Sequence, residues 1–204
     1  LQDWLLRDTD WNWRLDATRQ GKLRSVADIG SHWIDLVSFV AGQRVTAVCA
    51  DLHTFVPVRN RPAGEVETFT SSAADEPRVA EEMSSDDAAG VLLRFDGGAR
   101  ATCSISQVSA GRKNELHWEI DGADSSLSWD STDPERLLIG HRGRANELLE
   151  KDGELLNERG AAAAGFPGGH VEGYADTFRA LFTAVYAEVA AGAPSANPRY
   201  PTFR

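Results

Sequence analysis

The stretch Gly90-Val-Leu-Leu-Arg-Phe95-Asp-Gly-Gly98-Ala-Arg-Ala-Thr-Cys-Ser-Ile-Ser-Gln-Val108 decides the fold. In its second half Ala99, Ala101, Cys103 and Ile105 alternate with Arg100, Thr102, Ser104 and Ser106, the period of a strand with one buried face. Asp96-Gly97-Gly98 separates this run from residues 90–95. Two glycines supply the positive φ a tight turn requires, so the stretch is predicted to be a β-hairpin.

Outward from the hairpin, residues 44–58 read as a strand, with Val45, Ala47 and Cys49 on one face and Thr46, Val48 and Ala50 on the other. Residues 115–120 alternate Leu116, Trp118 and Ile120 with Glu115, His117 and Glu119, and strand-like pieces follow at 126–129, 136–139 and 147–149. Residues 25–41 carry Val26, Ile29, Trp33, Leu36, Val37 and Val40 at helical spacing, with Gly42 as the stop. A second helix is predicted over 171–191, its stripe being Tyr174, Phe178, Leu181, Phe182, Val185 and Val189. The Ala- and Gly-rich residues 160–169 read as a flexible connector. Strands joined by short turns pair antiparallel. The expected fold class is α+β: a large, mostly antiparallel sheet with helices on one face. Apolar strand surface left on the other face, with Leu116, Trp118 and Ile120 as a large row, implies self-association.

The chain has 204 residues, 42% of them hydrophobic and 25% charged, which fits one globular domain or two small ones. Its net charge of −10 argues against a nucleic-acid partner. No apolar run reaches the length of a membrane span, and no charged-then-apolar leader opens the chain. Cys49 and Cys103 are too few for a disulfide framework or a four-thiolate zinc site, so a reduced, cytoplasmic setting is expected. Leu1 in place of Met suggests an excised piece. Between residues 63 and 87 Glu65, Glu67, Asp75, Glu76, Glu81, Glu82, Asp86 and Asp87 face only Arg78, without periodicity. Residues 61–88 are therefore expected to be a mobile acidic loop.

No G-x-G-x-x-G or G-x-x-x-x-G-K-[ST] occurs, and Gly165, Gly168 and Gly169 follow no strand, so no nucleotide cradle is predicted. In Asp28-Ile-Gly-Ser-His32-Trp-Ile-Asp35, a regular helix stacks Asp28 and His32 on one face with Asp35 beside them. A carboxylate against imidazole raises its basicity and fixes its orientation, as a general base needs; a surface i,i+4 pair has the same spacing. Gly30 between them implies a close approach of ligand or backbone. A second cluster, Gly168-Gly-His170-Val-Glu172-Gly-Tyr174, opens the last helix. Asp28, His32, His170 and Glu172 are all acceptable metal ligands, though their spacing does not demand a metal and none is expected. Trp11-Asn-Trp13-Arg14 suits a sugar face, with aromatic packing as the alternative.

Together, Leu1-Gln-Asp-Trp-Leu5, Trp11-Asn-Trp-Arg14 and Asp28-Ile-Gly-Ser-His32-Trp-Ile-Asp35 resemble the C-terminal domain of the Gfo/Idh/MocA oxidoreductases, the glucose–fructose oxidoreductase and inositol dehydrogenase family. Pro57-Val-Arg-Asn-Arg-Pro62, Ser109-Ala-Gly-Arg-Lys-Asn-Glu115, Ile139-Gly-His-Arg142 and Pro167-Gly-Gly-His-Val-Glu-Gly-Tyr174 extend the similarity over nearly the whole chain. The resemblance implies a substrate-binding and oligomerisation domain like that of the GAPDH C-terminal domain. It further implies an N-terminal Rossmann domain, outside this sequence, that holds NAD or NADP and the lysine of a Glu-Lys-Pro motif. By the D-x-G-x-H match, His32 takes the substrate hydroxyl proton and Asp28 binds and orients the hydroxyl and the base. Trp13, Arg14, Asp35 and His170 fall where such domains contact a sugar or cyclitol.

The expected function is therefore the substrate domain, residues 1–204, of a cytoplasmic NAD(P)-dependent oxidoreductase acting on a sugar or cyclitol. The chain would be cut at both ends and inactive alone. It would self-associate through its sheet as a dimer or tetramer, with no nucleic-acid or membrane partner. The rivals are a non-catalytic carbohydrate-binding or assembly domain on the same scaffold, and a metal-dependent hydrolase or lyase.

Overall fold

Alternating burial along one strand organises the first part of the molecule: Ala89, Val91, Leu93 and Phe95 are buried while Gly90, Leu92 and Arg94 between them are exposed. The computed structural model describes residues 1–64, 77–193, 195, 196, 198 and 200. The chain divides into two compact units, Leu1–Leu116 and His117–Arg204.

The first unit opens with a 3₁₀ turn, Trp13–Leu15, and one helical turn, α1 (Ala17–Gln20). A π turn over Val26–Gly30 runs directly into α2 (Ser31–Ala41), which ends at Gly42 in the left-handed conformation (φ 63°). The predicted helix and its stop are thus present, but its first turn is wider than an α-helix. β1 (Val45–His53), β4 (Ala88–Phe95) and β5 (Arg100–Ser106) form an antiparallel sheet in the order β1-β4-β5. The predicted hairpin is the β4–β5 pair, with Val91 opposite Cys103 and Gly98 at φ 94° in the turn. The π turn lies against β5: a Cβ on Gly30 would stand 2.6 Å from Ile105 Cδ1. The close approach that Gly30 implied is to this core side chain.

Within the stretch expected to be a mobile acidic loop, residues 78–82 form a strand and residues 85–87 are buried. Residues 65–76 lie outside the described residues. Beyond them β3 (Arg78–Glu82) pairs antiparallel with β2 (Val58–Pro62), with Asn60 opposite Ala80. Ser85, Asp86 and Asp87 are buried. Asp86 fastens the entry to the first helix: its carboxylate accepts from Arg24 N at 2.7 Å, Val26 N at 2.9 Å and Ser25 Oγ. Asp87 pairs with the buried guanidiniums of Arg24 and Arg59. Charge composition fails here because the cations that neutralise these acids come from elsewhere in the chain.

The second unit is a four-stranded antiparallel meander, β6 (His117–Asp121), β7 (Ser125–Asp130), β8 (Arg136–His141) and β9 (Glu147–Glu150), in sequence order. The α+β antiparallel class holds, with the strands among the described residues spread over three sheets of three, two and four. Trp118 is 8% exposed and stacks on its cross-strand partner Trp129, with ring centroids 6.4 Å apart. The row expected at a free sheet face is therefore interior at its largest member. The connector expected at 160–169 contains a short helix, α3 (Glu158–Ala163), capped by Asn157, whose Oδ1 accepts from Gly160 N at 2.9 Å. α4 (Tyr174–Ala191) starts at Gly173. None of its residues is buried: of the stripe read as a core face, Val185 is half-buried and the other five residues are exposed. Helical periodicity shows that a face is apolar without showing what lies against it.

Candidate functional site

The first unit gathers Trp13, Arg14, Asp28 and Gln107 around one carboxylate. Asn12 caps the 3₁₀ turn by accepting from Arg14 N at 2.9 Å, and the buried Leu15 anchors it. That turn aims Arg14 at the π turn, where its Nε donates to Asp28 Oδ1 at 2.8 Å. The Arg14 guanidinium also lies 4.7 Å from the centroid of the Trp13 ring, a cation–π contact that leaves Trp13 39% exposed. From the far side, Gln107 Nε2 donates to Asp28 Oδ2 at 2.8 Å. Each carboxylate oxygen of Asp28 thus receives one N–H donor and keeps acceptor capacity for another. Arg14 Nη1 and Gln107 Oε1 are buried and have no partner among the described residues.

His32 is not joined to this carboxylate. Among the described residues no hydrogen bond or ion pair links Asp28 to His32, and the imidazole is exposed on the first turn of α2. The reason is the π turn. Ser31 N bonds to Val26 O, five residues back, so the segment between Asp28 and His32 is wound more loosely than an α-helix. The i,i+4 superposition that assumes 3.6 residues per turn is lost. Asp35, also exposed, borders an open depression with Ser31, Ser38 and Arg44, and no hydrogen bond or ion pair joins it to Asp28, Arg14 or Gln107 among the described residues.

His170 belongs to the second unit. Its Nδ1 lies 3.4 Å from Gly168 O, and the ring is exposed. The loop that carries it is tied down by Glu172. That carboxylate accepts from Gly165 N at 2.7 Å, from Arg179 Nη2 at 3.1 Å and from Lys151 Nζ. Lys151 also donates to His170 O at 3.2 Å and pairs with Glu135 Oε2 at 3.0 Å. The hydrogen bond from Lys151 holds the Glu172 carboxyl below its usual range. Glu172 is thus committed to holding the loop, and no group of three metal-ligating side chains occurs among the described residues.

The glycine-rich stretch, residues 165–169, is no seat for a dinucleotide. It lies between α3 and α4 with no strand leading into it, and the Gly165 amide is already spent on Glu172. These residues do not fit a pyrophosphate, which needs free amides at the N-terminus of a helix that follows a strand.

Gln107 is the residue that sequence reasoning missed. It is 79 residues from Asp28, and only its place just past the alternating run of β5 marks it.

A family model described as GFO/IDH/MocA C-terminal domain matches residues 1–128. A levoglucosan dehydrogenase of Pseudarthrobacter phenanthrenivorans is 28% identical over 129 residues, 62% of this chain and 32% of that protein. Among solved structures, an oxidoreductase domain protein from Kribbella flavida is 28% identical with a TM-score of 0.76, covering 97% of this chain and 50% of that one. A levoglucosan dehydrogenase in complex with NADH and levoglucosan superposes with a TM-score of 0.76 at 20% identity, over 97% of this chain and 49% of that one. The chain therefore spans half or less of the length of each of these relatives. On the family match over residues 1–128, the chain belongs to the GFO/IDH/MocA oxidoreductases and carries their C-terminal domain.

Proposed function

We propose that this chain is the substrate side of an NAD(P)-dependent oxidoreductase that interconverts a hydroxyl and a carbonyl on a sugar or cyclitol. The observation that carries the reading is the Asp28 carboxylate, with Arg14 on one oxygen and Gln107 on the other, beside the exposed Trp13 face and one turn before the exposed His32. A carboxylate fixed in this way accepts a hydrogen bond from a substrate hydroxyl, and an aromatic face accepts the C–H surface of a sugar ring. His32, solvent-facing and unencumbered by Asp28, takes the hydroxyl proton. Asp35 is kept as an outer substrate contact. Levoglucosan dehydrogenase, named for an anhydrosugar and solved with NADH, supports both the substrate class and the cofactor. NAD or NADP is held by an N-terminal dinucleotide-binding domain, since the glycine-rich stretch here does not fit it. We also propose self-association through the outward face of the β1-β4-β5 sheet, where Leu92 is 55% exposed opposite Cys49.

The test is an assay of the intact protein against a panel of sugars and cyclitols with NAD and NADP, on wild type and His32→Ala. Loss of a positioned general base lowers kcat by about 10²–10⁴-fold. Because His32 is exposed, the melting temperature should stay near wild type. Unchanged kcat in folded His32→Ala protein overturns the assignment of the base, and a wild-type protein that turns over no polyol but binds one favours the non-catalytic carbohydrate-binding domain.

A further inference from the structure

We propose that Gln107 is a positioning residue for Asp28, fixing the direction in which the carboxylate meets the substrate; this rests on the function proposed above. Three observations carry it. The first is the bond itself, Nε2 to Oδ2 at 2.8 Å from a side chain only 1% exposed. A carboxylate with a single donor can rotate about its last side-chain torsion, which is broad for Asp. With Arg14 on Oδ1 and Gln107 on Oδ2, both ends of the carboxylate are fixed and that rotation is closed.

The second observation is that Gln107 is held on both backbone sides. Its N–H donates to Asp87 O at 3.0 Å, and its C=O accepts from Leu5 N at 3.1 Å. Asp86, the neighbour of Asp87, holds the entry to the π turn that carries Asp28, through Arg24 N, Val26 N and Ser25 Oγ. One dipeptide, Asp86-Asp87, therefore mounts both partners of the Asp28–Gln107 bond. The separation of donor and acceptor is set by adjacent residues of one buried segment, the arrangement a rigid site requires.

The third observation is cost. Gln107 Oε1 is buried without a partner among the described residues. An amide half satisfied in the interior is less favourable there than an apolar side chain of the same size. Simple packing would be served better by methionine or leucine at this place. The use that remains for the amide is the N–H it gives to Asp28.

The experiment compares Gln107→Met, which keeps the volume and removes the donor, with Gln107→Glu, which keeps the shape and turns the donor into an acceptor. Each variant is crystallised and assayed as the intact enzyme with its cofactor and a turned-over polyol. In both variants the Asp28 carboxylate should leave its wild-type orientation, and kcat of the folded protein should fall on the order of 10²-fold, more for Gln107→Glu, whose added carboxylate repels Asp28. Asp28 unmoved in Gln107→Met overturns the proposal, whatever the activity does. Asp28 displaced with kcat unchanged also overturns it, since the orientation would then not serve the reaction. If wild-type protein turns over no polyol, the proposed function fails by itself, and the two crystal structures still decide whether Gln107 fixes Asp28.

Discussion

Asp87 and Arg59 meet at 2.8 Å, Oδ1 to Nη2, with both side chains fully buried. The same carboxylate pairs with the equally buried Arg24, and its Oδ2 accepts from Val56 N at 2.8 Å. Arg59 passes the order on, donating to Leu5 O at 2.8 Å and Arg7 O at 2.9 Å, so the N-terminal segment hangs from this group. Burial pushes the Arg59 guanidinium below its ordinary pKa, against the pull of Asp87. Removing one partner of a buried ion pair strands the others without water. Asp87→Ala is therefore expected to destabilise the protein by about 3–5 kcal/mol, while Asp86→Ala, which loses a helix-entry cap, costs about 1–2 kcal/mol. Urea denaturation of the two variants checks the order; equal losses would show that the two acids share one role.

Gly30 in the π turn packs against β5, with Ile105 Cδ1 2.6 Å from the place of a missing Cβ. Gly30→Ala should force Ile105 off its rotamer and cost about 1–3 kcal/mol, although Ala favours helix over Gly by about 1 kcal/mol. Shortening the neighbour relieves the clash. Ile105→Val alone costs about 0.5–1.5 kcal/mol, so the double variant should be more stable than the sum of the two single changes predicts. Additive melting-temperature losses would show that Ile105 does not limit residue 30.

The periodic elements of this fold were legible because their pattern is local. The alternation of residues 99–105 and the Asp96-Gly97-Gly98 turn are β4–β5, and the apolar spacing of 25–41 is the π turn with α2. Neither signal reports winding, so the extra residue in the Val26–Gly30 turn was invisible, and with it the separation of His32 from Asp28. Asp86 and Asp87 were misread for a different reason. A run of acids looks solvated until its cations are found, and Arg24 and Arg59 stand 63 and 28 residues away from Asp87. Of the carboxylate's two holders, the family resemblance offers Arg14 only as a sugar contact, and nothing in the sequence marks Gln107 as a partner of Asp28.

In the second unit the loop that carries His170 should loosen in acid. Glu172 titrates below its ordinary value of 4.5 because Lys151 hydrogen-bonds its charged form. A group whose folded pKa is depressed contributes stability above its unfolded pKa and loses it as pH falls through the folded value. Thermal midpoints should therefore fall as pH drops below about 4.5, and the fall should be shallower in Lys151→Met, which removes the donor. Parallel pH curves for the two proteins would place the acid sensitivity elsewhere.

The two thiols should differ sharply in reactivity. Cys103 sits on the buried face of β5, opposite Val91, and burial pushes its pKa up to about 11. Cys49 is exposed on β1, opposite Leu92. The thiolate is the nucleophile, so at pH 8 Cys103 is both shielded and almost wholly protonated. Iodoacetamide should alkylate Cys49 while leaving Cys103 unmodified until denaturant opens the sheet, which peptide mass mapping reads directly. If the outward sheet face binds a second copy as proposed, the Cys49 rate should fall as protein concentration rises and recover in Leu92→Arg, which puts a charge into the contact. Fast labelling of Cys103 in native protein would mean that β5 opens readily, and a Cys49 rate independent of concentration would count against this face as the interface.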